Sequence, residues 1–368
     1  MPSDRKTSVR VLIFHMLNDY SGSPKILASV IKGLVNNGFK VDLYTSRVDG
    51  GCLSALRGVT YHRIFYKFSQ IRLFTFIGFL LAQIRYLFVA LGFKNEKNVI
   101  FYINTIMPFG AALGAGLSGK KIIYHVHENP VRKNFIHRIA QLVLTRYAGK
   151  VVFVSKYLFN TYDIDENRKK LVYNSLDPEF SAIAGNHEPL YRKPFTILMI
   201  CSLKKYKGID IFYQLACEMP EYRFVLVLNA VESEINAYFA GRSIPGNMRL
   251  FTGTADLHKF YVSASLVVNL TIPGLCRESF GMTVLEALAY GIPVIVPSAG
   301  GIKEMVEDGI NGYKVDPLDR KQLVSRIHGL FSDEGKYYQL SLNARKTAGE
   351  YSYQKMIQSI SDIITDEI

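Results

Sequence analysis

Two carboxylates stand eight residues apart in Glu278-Ser-Phe-Gly-Met-Thr-Val-Leu-Glu286, and Ala-Leu-Ala-Tyr-Gly291 follows. The pattern predicts a short glycine-containing turn running into an apolar helix. Glu278 precedes the helix and Glu286 lies one to two turns inside it. At about 1.5 Å rise per helical residue, the pair spans on the order of 10 Å. Between them, next to Phe280, the backbone N–H groups of Gly281, Met282 and Thr283 open the helix. Such groups have no intrahelical acceptor and sit at a positive helix end, so they can hold a diphosphate without a metal. With a carboxylate at each end to accept hydroxyl hydrogen bonds, the segment reads as a clamp for a nucleotide-sugar. The plainer alternative is one exposed Glu before a helix and a second on its solvent face.

Two further groups could do chemistry. Leu203-Lys204-Lys205-Tyr206-Lys207-Gly208 follows the strand-like run Phe195–Ile200, as an anion loop would, although lysines in a surface loop are often only solvated charge. Tyr124-His125-Val126-His127-Glu128-Asn129 ends another strand-like run, and strand alternation turns His125 and His127 the same way. Zinc is one reading of H-x-H-E, but no third-ligand motif follows, and no metal site is assigned. His125 also reads as a satisfied core histidine. Asp163-Ile-Asp165 reads as a surface loop, not as a metal-binding triplet.

The first group sits in a longer pattern: Gly291-Ile-Pro-Val-Ile-Val-Pro-Ser-Ala-Gly-Gly301, then Glu304, then Asp308-Gly-Ile-Asn-Gly-Tyr-Lys-Val-Asp-Pro317. Together these residues resemble the E-x7-E region of the retaining GT-B glycosyltransferases of the group 1, or family-4, type. The resemblance implies an α/β fold with two doubly wound Rossmann-like domains facing across a cleft. A C-terminal helix would cross back to the first domain. It implies that Glu278 positions the transferred sugar, Glu286 holds the ribose and His127 lines the cleft beside the donor sugar. Lys207 matches the family's phosphate-loop Lys. The family's Arg falls on Ser202, a departure that leaves Lys204 or Lys205 to supply charge, or Ser202 to donate a hydrogen bond. Thr252-Gly253-Thr254 and the helix near Asp256 resemble the segment near the donor base. Gly22 lets a phosphate or acceptor approach the start of the first helix. Transfer would retain the anomeric configuration, need no cofactor or metal, and use the leaving diphosphate to deprotonate the acceptor.

The elements that position these residues follow from periodicity. Val9–Phe14 reads as a buried strand, then a helix with Ser23 as N-cap and Pro24 first, stopped by Gly38, then the strand Lys40–Tyr44. Strands are expected at 99–103, 121–126, 151–155 and 170–174. A linker at 184–194 separates a first domain (1–183, plus the helix within 352–368) from a second (195–351). The second contains strands at 195–200, 224–228, 266–270 and 294–296. In the last helix Met356, Ile357, Ile360, Ile363 and Ile364 form one stripe. Residues 71–93 approach the length of a membrane span, but Arg72, Gln83 and Arg85 interrupt them, so a span is rejected. They read either as a helix against the sheet or as one resting on the inner membrane face.

The chain has 368 residues, 49% of them hydrophobic, and a net charge of +13. Those values suit a two-domain globular protein with an anionic partner: a nucleotide-sugar, a lipid-linked or glycan acceptor, or an anionic membrane. No nucleic-acid module is present. The four cysteines show no paired spacing, and the N-terminal apolar run is broken by Arg10 and His15, so a cytoplasmic chain without a signal peptide is expected. The resemblance makes a transferase in surface polysaccharide or glycolipid assembly the leading reading. A GT-B-fold nucleotide-sugar 2-epimerase and a donor-binding protein without transfer activity remain as alternatives. A nicotinamide oxidoreductase would need the G-x-G-x-x-G that the first loop lacks.

Overall fold

The computed structural model describes residues 9–46, 50–66, 71–130, 135–188, 191, 193–254 and 256–368. It comprises two compact units, Met1–Ser175 with Tyr353–Ile368, and Leu176–Ser352.

The first unit contains β1 (Arg10–Phe14), α1 (Gly22–Asn36), β2 (Lys40–Ser46), β3 (Val59–Ile64), α2 (Arg72–Gly92), β4 (Val99–Asn104), α3 (Phe109–Leu117), β5 (Lys121–Val126), α4 (Phe135–Tyr147), β6 (Lys150–Phe153), α5 (Lys156–Thr161) and β7 (Lys169–Leu171). Its seven strands are parallel in the order β3-β2-β1-β4-β5-β6-β7. The central strands are continuous apolar runs because helices cover both faces. Phe14 stacks on Tyr44 at 4.5 Å and on Phe101 at 5.7 Å. Helix α1 begins earlier than the sequence predicts: Ser21, not Ser23, is its N-cap, and Pro24 lies within the first turn. The cause is local. Asp19 Oδ1 accepts from the Ser21 backbone N–H at 2.9 Å and from its hydroxyl at 2.5 Å, turning the chain two residues sooner. Pro24 is tolerated because a first-turn N–H has no helical partner.

Helix α2 combines the two readings of 71–93. Phe79, Ala82, Gln83, Tyr86 and Ala90 form a buried stripe. Against it lies α3, brought close by two glycines: a Cβ on Gly110 would stand 2.1 Å from the Gln83 carbonyl oxygen, and one on Gly114 2.5 Å from that of Leu87. The opposite side of α2 is exposed and apolar.

The second unit contains α6 (Pro178–Gly185), β8 (Thr196–Ser202), α7 (Ile209–Glu218), β9 (Arg223–Asn229), α8 (Glu232–Tyr238), β10 (Met248–Thr252), α9 (His258–Ser263), β11 (Leu266–Val268), α10 (Met282–Ala289), β12 (Val294–Val296), β13 (Gly312–Lys314), α11 (Arg320–Phe331) and α12 (Glu334–Glu350). Its six parallel strands run β10-β9-β8-β11-β12-β13. The unit begins at Leu176, upstream of the 184–194 linker expected from the sequence. Residues 189, 190 and 192 of that linker lie outside the described residues. The boundary moves because Asp177 caps α6, its Oδ1 accepting from Glu179 N–H at 3.0 Å, and α6 packs in this unit, with Phe180 stacked on His258 at 4.5 Å.

The last helix, α13 (Tyr353–Asp366), belongs to the first unit, where Met356, Ile357, Ile360, Ile363 and Ile364 are buried. Asn37 Nδ2 donates to Ser361 Oγ at 2.9 Å, and Tyr353 OH donates to the Ser29 carbonyl at 3.1 Å. Two Rossmann-like units joined by a returning C-terminal helix are the GT-B architecture.

Candidate functional site

Both sheets reverse strand order once, between β1 and β4 and between β8 and β11. In open α/β sheets, ligands bind beyond the C-terminal ends of the strands at such a point. The candidate residues gather there.

In the second unit β8 ends on Ser202, whose carbonyl accepts from Lys204 N–H at 2.8 Å. A 3-10 turn, Lys205–Lys207, follows and stops at Gly208. Gly208 has φ +78° and leads straight into α7, and a Cβ there would stand 2.2 Å from the Leu270 carbonyl oxygen. Only glycine fits that backbone. The turn delivers Lys207 Nζ to Glu278 Oε1 at 2.5 Å. Thr271 Oγ1 donates to the same oxygen at 2.8 Å and Asn269 Nδ2 at 3.4 Å, both from the loop after β11. Burial alone would raise the Glu278 carboxyl, but the Lys207 charge and the three hydrogen bonds outweigh it and hold it below its ordinary range. Burial likewise pulls Lys207 down, and the Glu278 carboxylate raises it above its ordinary value. Both groups are charged at neutral pH. Lys204 and Lys205 are exposed.

Helix α10 starts at Gly281, φ +103°, where a Cβ would meet Ile302 Cγ1 at 2.6 Å. The first intrahelical donors are Val284 and Leu285, both to the Gly281 carbonyl. The N–H groups of Gly281, Met282 and Thr283 therefore stand ahead of the helical ladder, as the sequence predicts. Glu286 is 2% exposed. Tyr261 OH donates to its Oε2 at 2.6 Å, and burial with that carboxylate raises the phenol well above its usual pKa. The Phe280 side chain is buried and meets Tyr351 edge-on at 5.7 Å. Sequence reading did not single out Asn269, Thr271 or Tyr261, because only the sheet brings them to the glutamates.

In the first unit His127 follows the end of β5, and its Nε2–H donates to Asn104 Oδ1 at 3.0 Å. A carboxamide oxygen only accepts, which fixes that tautomer and leaves Nδ1 without a proton. The same Asn104 meets His15, whose Nδ1 lies 3.1 Å from Asn104 Nδ2 and 3.3 Å from the Asn104 carbonyl oxygen. The His125 ring lies 4.2 Å from that of His127, and its Nδ1 pairs with Tyr102 OH at 2.7 Å. Burial lowers all three imidazoles, His15 to about 4, His125 to about 3 and His127 well below its ordinary value, with the other two rings adding to the last shift. Glu128 moves the other way: burial lifts it to about 7, against hydrogen bonds from the Ile106 and His127 N–H groups. Thr105, between Asn104 and Ile106, has φ +68°, a strained conformation for a β-branched residue. Gly22 opens α1 beside open space, with no heavy atom within 4 Å of where a Cβ would stand. Asn104 and His15 were not legible in the sequence, lying 23 and 112 residues from His127.

Among the described residues no group of three or more His, Cys, Asp or Glu side chains is placed to hold a metal ion. Asp165 caps a 3-10 turn, with Oδ1 accepting from Asn167 N–H at 2.9 Å.

The family model described as Glycosyltransferase Family 4 matches residues 20–180, and that described as Glycosyl transferases group 1 matches residues 185–347. This chain is a GT-B-fold glycosyltransferase of the group 1 and family 4 type. The glycosyltransferase is 25% identical over 361 residues to an uncharacterized glycosyltransferase of Methanocaldococcus jannaschii, covering 90% of this chain and 91% of that protein. A lipopolysaccharide 1,2-N-acetylglucosaminetransferase of Salmonella typhimurium is 29% identical over 147 residues, 39% of this chain and 35% of that one. In fold, the chain is similar to Anabaena HepE in complex with UDP-glucose, with TM-score 0.77, 18% identity and coverage of 97% and 99%. Sucrose-phosphate synthase from Thermosynechococcus elongatus gives TM-score 0.79 at 15% identity, covering 97% and 98%.

Proposed function

We propose that this glycosyltransferase moves a sugar, with retention and without a metal, from a nucleotide-sugar to a glycan or lipid-linked acceptor in surface polysaccharide or glycolipid assembly. The enzyme would work in the cytoplasm, with its first unit peripheral to the inner membrane face. The observation that carries the reading is the half-buried ion pair of Lys207 and Glu278 ahead of the N-terminus of α10, with Glu286 buried one turn further on. The similar HepE structure was obtained with UDP-glucose, and the Salmonella relative is by its name a lipopolysaccharide 1,2-N-acetylglucosaminetransferase.

In this mechanism the N–H groups of Gly281, Met282 and Thr283, with Lys207, stabilise charge on the departing diphosphate. Lys204 and Ser202 line the same loop. Glu278 Oε1 is occupied by Lys207, Thr271 and Asn269, so Oε2 is the oxygen that would take a sugar hydroxyl. Glu286 would accept from the ribose. The bond from the anomeric carbon to the phosphate oxygen breaks as a bond to the acceptor oxygen forms on the same face. The acceptor proton passes to the leaving phosphate. His127, neutral and with one tautomer fixed by Asn104, would stabilise the cation-like sugar by hydrogen bonding and position.

The test is a thermal-shift panel of UDP, GDP, ADP, dTDP and CMP with and without EDTA. A ligand at about a hundred times its Kd adds roughly 2.7 kcal/mol, which moves Tm by several degrees. One nucleotide should stabilise the protein equally with and without EDTA. A response to none of them overturns the donor clamp. Transfer with inversion, read from the product's anomeric NMR signal, overturns the mechanism.

A further inference from the structure

We propose that the layer formed by α2, α3 and α4 is a docking surface for an anionic lipid bilayer, on which the first unit rests without crossing it. This gives the peripheral contact of the reading above a location, and it stands on observations separate from the donor site.

One side of α2 is built into the fold. Tyr86 meets Phe14 of the central strand edge-on at 5.4 Å. Gln83 Oε1 accepts from Gly110 N–H at 2.9 Å, while its Nε2 donates to Met16 Sδ at 3.2 Å. By length and composition Leu73–Gly92 could span a bilayer. To do so it would have to abandon this packing and carry Gln83 and Arg85 into hydrocarbon. Its other side faces outward. Leu73, Phe74, Ile77, Leu81, Ile84 and Phe88 recur at helical spacing and are exposed, Phe74 at 60% and Phe88 at 66%. Helix α3 packs on both α2 and α4. Leu117 at its end, with Phe135 and Leu142 of α4, adds exposed apolar surface to the same layer. Single exposed apolar side chains are ordinary, but a contiguous stripe of this length marks a binding surface.

Charge decides what binds. Between Asp49 and Asp163 the only acidic residues are Glu96 and Glu128, so α2, α3 and α4 contain none. Glu96 pairs with Arg10, and Glu128 bonds inward to the Ile106 N–H. Arg85 is exposed within the α2 stripe, Lys94 and Lys97 follow its C-terminus, and Arg138 and Arg146 are exposed on α4. The first unit holds 26 Lys and Arg against 12 Asp and Glu, and the second 18 against 19, so the whole positive surplus lies in the unit that carries the stripe. An apolar stripe crossed by long cationic side chains, with no carboxylate, matches acyl chains beneath anionic headgroups. Arg85 buries its stem among Leu81, Ile84 and Phe88 while its guanidinium reaches the phosphates.

The chain has no Trp, so Phe88→Trp introduces a single reporter, and Leu318→Trp on the exposed surface of the second unit serves as its control. Both full-length variants are mixed with vesicles of equimolar phosphatidylglycerol and phosphatidylcholine, or of phosphatidylcholine alone. The Phe88→Trp protein should co-float with the anionic vesicles, shift its emission to the blue and be quenched by acyl-brominated lipid. The Leu318→Trp emission should not change. Partition onto phosphatidylcholine alone should be at least about tenfold weaker. Leu81→Glu with Phe88→Glu should reduce anionic binding at least about tenfold, with the nucleotide-dependent thermal shift unchanged. Absence of flotation, or flotation unaffected by the double substitution, overturns the proposal. So does a concentration-dependent dimer that this variant abolishes, since it would assign the face to a second copy of the chain. Absence of lipid binding by the Phe88→Trp protein, with its nucleotide shift intact, counts against the surface alone. A missing nucleotide shift with intact lipid binding counts against the donor reading alone.

Discussion

Glu278 and Glu286 are chemically identical and differently held, which sets their expected roles apart. Glu278 is locked through one oxygen by a cation and two neutral donors. Glu286 is almost wholly buried against Tyr261. Glu286→Ala should therefore raise the nucleotide Kd by about 10- to 100-fold, the worth of a hydrogen bond to a charged group. Glu278→Ala should lower transfer more than binding, by about 100-fold in kcat. Calorimetry with the nucleotide and steady-state kinetics would separate the two, and the reverse pattern would mean that the roles are exchanged. Tyr261→Phe removes a donor to a buried carboxylate and should cost about 1–3 kcal/mol of stability by chemical denaturation. In the first unit the titratable groups impose a pH dependence. The three imidazoles are lowered, so they are neutral in the fold and take up protons on unfolding below pH 6.5. Their stabilisation is complete above that value and is lost as pH falls. Glu128 is raised to about 7, so it is protonated in the fold while ionised in the unfolded chain, and it contributes stability that is lost as pH rises through 7. The histidines dominate by number between pH 6.5 and 4.5, so stability should rise with pH there by about 3 kcal/mol per unit. Glu128→Gln should raise Tm at pH 8 and leave it nearly unchanged at pH 4.5.

At the level of elements, two backbone positions carry the site. Gly208 turns the lysine loop into α7 against the Leu270 carbonyl. Gly208→Ala should cost about 2 kcal/mol or more, from left-handed strain and overpacking, and should raise the nucleotide Kd through displacement of Lys207. Thr105 holds a left-handed conformation at the end of β4, fixed by its own N–H to the His125 carbonyl at 2.9 Å and by the neighbouring Ile106 N–H to Glu128. The central strands were legible as apolar runs, and α13 as a five-residue stripe. The start of α1 was not, because a side-chain turn at Asp19 overrode the preference for Ser23 followed by Pro24. Nor was β3, whose partly exposed edge position leaves no continuous apolar run. Helix α6 was not legible as part of the second unit, because the stacking partner of Phe180, His258, is 78 residues away.

For the whole molecule, the chain leaves the first unit once and returns to it with α13. Ending the protein at Ser352 would strip Met356, Ile357, Ile360, Ile363 and Ile364 from the first unit, a loss on the order of 5–10 kcal/mol. Calorimetry should then show a much lower transition for the first unit, while nucleotide still shifts that of the second. The net charge of +13 reads as one property of the chain, but the unit boundary assigns all of it to the half bearing the apolar stripe. By itself the sequence determined the glycine turn and helix start between Glu278 and Glu286, the alternation of strands and helices and the two-unit plan, because turn glycines, helix starts and hydrophobic periods are local. The tertiary structure alone decided which side of α2 stays exposed, that Asn104 joins His15 to His127, and that Thr271 and Asn269 converge on Glu278. Those contacts depend on strand order, and parallel strands bring together residues that the chain itself keeps far apart.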